Sequence, residues 1–181
     1  RGWKSYPRLY RWLHYGRLED PVTPVTSGPR HHFFGYYEKS PWNASGTRLL
    51  AHEADFNDRP PRETDCLKIG MVCLDDNNRL VELGKTTAWN WQQGCRLQWR
   101  PNSDEILWND RSDDGTHFVC RAYNFSTREQ RVLPRPVYDV TDDGKTALTH
   151  DFARMKHMIF LTMIGLVSCR FFGTVKMETI S

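Results

Sequence analysis

The sequence predicts an all-β chain: a partial β-propeller of four-stranded antiparallel blades, with a short N-terminal helix. Three observations predict it. A pattern of strand, polar turn, strand and acid occurs three times. Its second strands align Leu50, Leu107 and Leu148, which lie 57 and 41 residues apart, an average of 49. Four short strands recurring every ~40–50 residues is the period of propeller blades, because one sheet cannot bury both faces alone and successive sheets must stack. Aromatic residues make up 13% of the chain, a composition that favours strands.

Taken in order, residues 1–30 form an N-terminal helix and a lead-in. Leu9, Trp12 and Leu13 have helical spacing after Pro7, and Gly16 is a stop signal. The polar side carries Arg8, Arg11 and Arg17, but Glu19 and Asp20 follow. A helix on the domain edge is favoured over one lying on a membrane. Residues 21–30 hold three prolines and a glycine and read as extended. The propeller spans 31–157. Its first blade, 31–85, begins at His31-His32-Phe33-Phe34 and turns at Ser40–Gly46. It continues through strands at Arg48–Ala51, Cys66–Leu74 and Leu80–Leu83. The second, 87–134, is the clearest copy. Asn90–Trp99 is read as its first strand, Pro101–Asp104 as the turn and Glu105–Trp108 as the second strand. His117–Phe125 and Gln130–Leu133 complete it. The third, from 136 to 157 and onward, has strands at Val137–Val140 and Thr146–Leu148 around Thr141–Gly144.

The tail, 158–181, is apolar from Met158 to Val175, with Arg170 its only charge in that stretch. Three readings stay open: a C-terminal membrane anchor, further strands of the third blade, or a tail foreign to the fold. The chain begins at Arg rather than Met, which predicts a fragment or a processed product. Two and a half blades do not close a ring of four to eight. The expected partners are therefore the remaining blades or another protein surface.

Composition excludes several classes. Lys+Arg 25 against Asp+Glu 22 gives +3, too mild a balance for a nucleic-acid binder. Five cysteines, an odd number with no CxxC pair, argue against a structural zinc site. There is no GxGxxG, P-loop, GxSxG or HExxH. Asp75–Asn78 lacks the spacing of a calcium loop and reads as a turn. Asn43 and Asn124 open N-glycosylation triplets, a common chance occurrence.

The register also gathers candidate site residues. The second strands end in His52-Glu53, Asn109-Asp110 and His150-Asp151. Strand ends share a height, so these pairs are expected on one rim. The starts of the first strands reach the same rim with His31, His32, Trp91, Gln92 and Gln93, and Arg111 and Arg154 lie just beyond the acids. Arginine suits carboxylates, indoles suit sugar ring faces, and imidazole suits proton transfer. An acidic oligosaccharide fits that mixture. The competing reading is structural: polar residues at strand ends cap loops or join neighbouring blades by hydrogen bonds. No residue is assigned as catalytic or as a metal ligand.

The stretches HHFFGYYEKSPWNASGTRLL and WNWQQGCRLQW, with the repeated hairpins, resemble the TolB-like and oligogalacturonate-lyase-like β-propellers over roughly residues 30–157. The resemblance implies a seven-bladed ring, β-elimination on short uronates and a divalent metal such as manganese. It implies that the metal-holding His and Gln cluster lies on later blades, beyond the end of this chain. The sequence departs from the family pattern after about Met155, so catalysis by this chain alone is not expected. The alternative within the same resemblance is a non-catalytic TolB-like module for binding or scaffolding.

Overall fold

The computed structural model describes residues 23–35, 37–151 and 173–177. These residues are all β, without a helix. The expected N-terminal helix, Arg154 and most of the apolar tail lie outside them.

Eleven strands build three antiparallel sheets. Sheet I is the meander β1 (His31–Phe33), β2 (Arg48–Ala54), β3 (Leu67–Cys73) and β4 (Arg79–Thr86). Sheet II is β5 (Gln98–Trp99), β6 (Glu105–Arg111), β7 (Phe118–Asn124) and β8 (Gln130–Leu133). Sheet III is β9 (Asp139–Val140), β10 (Thr146–Thr149) and β11 (Gly173–Lys176). The last strand comes from the apolar tail. It pairs with β10 from Thr146↔Lys176 to Thr149↔Gly173, and Met177 is buried beside it.

Leu50, Leu107 and Leu148 each occupy the third position of β2, β6 and β10. The turn before each strand explains the common start. Asn43 Oδ1 accepts the Thr47 and Arg48 amides, both at 2.9 Å. Ser103 Oγ accepts the Glu105 amide at 3.0 Å. In sheet III the Gly144 amide donates to Thr141 O at 2.7 Å. Asx and hydroxyl turns of this kind satisfy the backbone locally and pin where the strand begins.

β6 is the middle wall. Side chains alternate across a strand, so Ile106 and Trp108 join Leu50, Ile69, Met71, Cys95 and Leu97 between sheets I and II. Leu107 joins Cys120, Ala122, Val137, Val140 and Ala147 between sheets II and III. Every residue from Glu105 to Asp110 is buried. A strand covered on both faces belongs to a stack of at least three layers. Gly84 of β4 lies under one of these core rings. A Cβ there would sit 2.7 Å from Trp108 Cζ2.

One predicted strand is broken. Asn90–Trp99 is extended only at Gln98–Trp99. The Gly94 amide donates to Asn90 O at 2.8 Å, which closes a tight loop. Gly94 and Arg96 both have left-handed backbone, with φ of 60° and 59°, and that conformation cannot continue a pleated ladder. The first strand of sheet III is also shorter than Val137–Val140. Val137 and the Tyr138 carbonyl bond instead to Asn109 and Gln98 of sheet II and to Arg96 just before it.

Candidate functional site

The loop that breaks the predicted strand forms one wall of a cleft of about 410 Å³. The cleft lies where residues 87–96, the 61–63 loop and the end of β6 meet, and Trp89, Gln93, Asn109, Arg111 and Phe118 line it. Trp89 of the lining and its neighbour Trp91, which lines another cavity, are each fixed by a hydrogen bond. Trp89 Nε1 donates to Asp65 O at 2.8 Å, and Trp91 Nε1 donates to Arg59 O at 2.7 Å. The two indoles meet edge to face at 5.0 Å, against Phe33 and Phe56. The loop they hold is clamped by Arg59, bidentate on Asp65 at 2.5 and 3.0 Å. That guanidinium and the Arg62 amide bring the Asp65 carboxyl down to about 2.

Arg111 is part of the lining. Its guanidinium lies over the Phe118 ring at 5.0 Å, and no ion pair holds it among the described residues. Arg96, by contrast, is committed. It is buried at 4% exposure and donates to Glu38 Oε1 at 2.7 Å and to Tyr138 O at 2.8 Å. It also stacks 3.8 Å over the Tyr138 ring. One side chain just before β5 thus ties the β1–β2 loop to the lead-in of sheet III.

The three residue pairs at the strand ends are split by alternation. In the first two pairs the first member faces the following sheet. His52 is fully buried. Its Nδ1 bonds to Phe33 O at 3.3 Å, so Nδ1 carries the proton, and its Nε2 accepts the Cys95 amide at 3.4 Å, with Cys95 Sγ at 3.2 Å. Burial lowers its pKa to about 4. Asn109 does the same work one sheet later. Its Oδ1 accepts the Val137 amide at 2.8 Å and its Nδ2 donates to Val137 O at 2.9 Å. His150 packs against Tyr138 at 4.8 Å between ring centroids, and burial, then the Arg96 charge, lowers its pKa.

The second members face the other way. Glu53 lies between His32 Nε2 at 3.1 Å and Lys68 Nζ at 3.0 Å, its lateral neighbours on β1 and β3. Burial pushes this carboxyl up, but the Lys68 and His32 hydrogen bonds outweigh it and the net shift is downward. Asp110 accepts from Arg121 Nε at 2.5 Å. Asp151 is exposed.

Of the residues expected on one rim, Gln93, Asn109 and Arg111 share the cleft. His31, His32 and Trp91 line a separate cavity of about 460 Å³. Gln92 is exposed outside both, His52 is sealed in the seam, and Asp110 is engaged by Arg121. Arg154 lies outside the described residues. Sequence reasoning missed Arg96, Glu38 and Tyr138. Arg96 sits inside what reads as a strand, and nothing local marks its left-handed backbone.

Among the described residues no group of three His, Cys, Asp or Glu side chains could hold a metal ion. The divalent metal implied by the resemblance therefore finds no fitting ligand set in these residues. No helix of the described residues is long and apolar enough to cross a membrane. Comparisons with protein-family models, with curated proteins and with solved structures find no match.

Proposed function

We propose that the three sheets are consecutive blades of an incomplete β-propeller related to the uronate lyases, and that the cleft at the end of β6 binds an acidic saccharide. The observation that carries the binding reading is Arg111. It is a guanidinium without an ion pair among the described residues, in the lining of a cleft that also includes Trp89 and Gln93. A uronate presents a carboxylate for the fork of an arginine and an apolar ring face for an indole. The blade reading is supported by the stacked antiparallel sheets, the common register of β2, β6 and β10, and a middle strand buried on both faces. The role is binding. His52 is neutral and enclosed, and turnover by this chain is not part of the proposal.

Calorimetric titration of the chain with trigalacturonate, and with its neutral methyl ester, tests the reading. The acid binds and the ester does not. Arg111→Ala lowers affinity by about tenfold or more, the magnitude of a lost charge-assisted hydrogen bond, while Arg111→Lys retains part of it. Equal affinity of the acid for wild type and Arg111→Ala, or no binding of the acid, overturns it.

A further inference from the structure

The opposite ends of the same strands form a second cleft, about 20 Å away along β6 and about 860 Å³ in volume. Its walls are the three equivalent turns that precede β2, β6 and β10. Those turns are tied to one another. Trp99 Nε1 donates to Pro41 O at 2.9 Å, Asn102 Nδ2 donates to Asp142 O at 2.8 Å, and Lys39 of the first turn pairs with Asp139 before the third. A cleft braced from all three sides keeps its shape without a ligand.

Trp42 stands at its edge, 45% exposed, in a chain whose other described indoles are at least half-buried. Trp99, also in the lining, meets Phe125 edge to face at 5.8 Å. The cations of the lining are already engaged: Lys39 by Asp139, and Arg100 by Glu105 and by Gly144 O at 2.8 Å. What the cleft offers is acceptors and an open ring. Among the described residues the Asp142 carboxylate and the Asn102 side-chain oxygen accept no hydrogen bond, while the Asn102 amide nitrogen donates to Asp142 O.

We propose that this second cleft binds a neutral saccharide, with a pyranose face on Trp42 and its hydroxyls donating to Asp142 and Asn102. An indole with a few convergent polar groups is the pattern of a small-molecule site. Hydroxyls satisfy the acceptors without a charge, whereas a uronate would set its carboxylate against Asp142. Of the three acids of the lining, Asp139 is paired with Lys39 and Asp104 accepts from the Ser126 hydroxyl, which leaves Asp142 as the acceptor for a ligand hydroxyl. The inference is independent of the reading of the Arg111 cleft.

Calorimetry of the chain with cellotetraose, maltotetraose and xylotetraose tests it, with a triarginine peptide as the competing ligand. At least one neutral tetrasaccharide binds. Trp42→Ala weakens it about tenfold or more, Asp142→Asn weakens it several-fold, and Arg111→Ala leaves it unchanged. Trp42→Phe, which keeps a ring, and the melting temperature of each variant separate lost binding from lost folding. No binding by any of the three sugars, equal binding by Trp42→Ala, or binding of the peptide in their place overturns the proposal.

Discussion

His52 and Cys95 meet across the seam between sheets I and II, the imidazole Nε2 accepting the Cys95 amide with the thiol 3.2 Å away. The contact holds only while the imidazole is neutral, because protonated Nε2 would face an N–H donor. The same seam position one sheet later is an amide, Asn109, which cannot titrate.

The first prediction concerns pH. Above about pH 6.5 both folded and unfolded chains carry a neutral His52. Below it the unfolded chain takes up a proton that the folded chain, with its pKa lowered to about 4, refuses. Stability therefore falls as pH drops from about 6.5 through 4, by about 3 kcal/mol at most from this residue. Urea unfolding at pH 7.5 and pH 4.5 measures the loss. His52→Gln lowers stability at pH 7.5 but has a shallower slope in that window. An unchanged slope would assign the pH dependence elsewhere.

Asn109→Ala removes two buried hydrogen bonds to Val137 and leaves both backbone partners unmet. It is expected to cost about 2–4 kcal/mol, read as a lower denaturant midpoint with little change in slope. Asn109→Asp keeps the acceptor but sets a carboxylate oxygen against the Val137 carbonyl, and it destabilises at least as much.

Gly94 and Gly115 both have left-handed backbone, with φ of 60° and 72°. A Cβ at Gly115 meets nothing within 4 Å, whereas at Gly94 it would lie 2.3 Å from His52 Cε1. Gly115→Ala should cost about 1 kcal/mol from backbone strain alone. Gly94→Ala should cost about 3 kcal/mol or more, because the ring it displaces is the seam contact itself. Similar losses for the two variants would mean that the His52 ring moves aside easily.

The thiols should divide by environment. Cys66 is exposed, whereas Cys73, Cys95 and Cys120 are buried. Burial pushes the Cys120 thiol to about 12 and Cys95 well above its usual range. Since the thiolate is the reactive species, iodoacetamide on the folded chain should, among the four described cysteines, modify Cys66 and spare Cys73, Cys95 and Cys120. Peptide mass spectrometry in native and denaturing buffer gives the comparison. Fast native labelling of Cys95 would contradict a closed seam.

The second strands were legible because turn chemistry brackets them. Asn43 before β2, Ser103 before β6 and Gly144 before β10 fix each start within the local sequence. The division of the strand-end pairs was legible too, since side chains two apart share a face and adjacent ones do not. Strand ends share a height, and alternation decides which face each side chain takes. Arg96 was hidden for a different reason. Its backbone conformation and its partners Glu38 and Tyr138, 58 and 42 residues away, are products of packing between sheets. The uncommitted state of Arg111 was equally out of reach, because it depends on which arginines find carboxylates once the sheets are assembled. Arg121 and Arg131 do.

β6 has solvent on neither side from Glu105 to Asp110. Along β4, by contrast, exposed positions interrupt the covered ones. In a deep substitution scan, tolerance along β4 should rise and fall with exposure. Along β6 the profile should be flat and low, with polar replacements as costly at Leu107 as at Ile106. The middle strand has no neutral positions through which its sequence can drift, so in any lineage of this chain it is the segment whose spelling changes last.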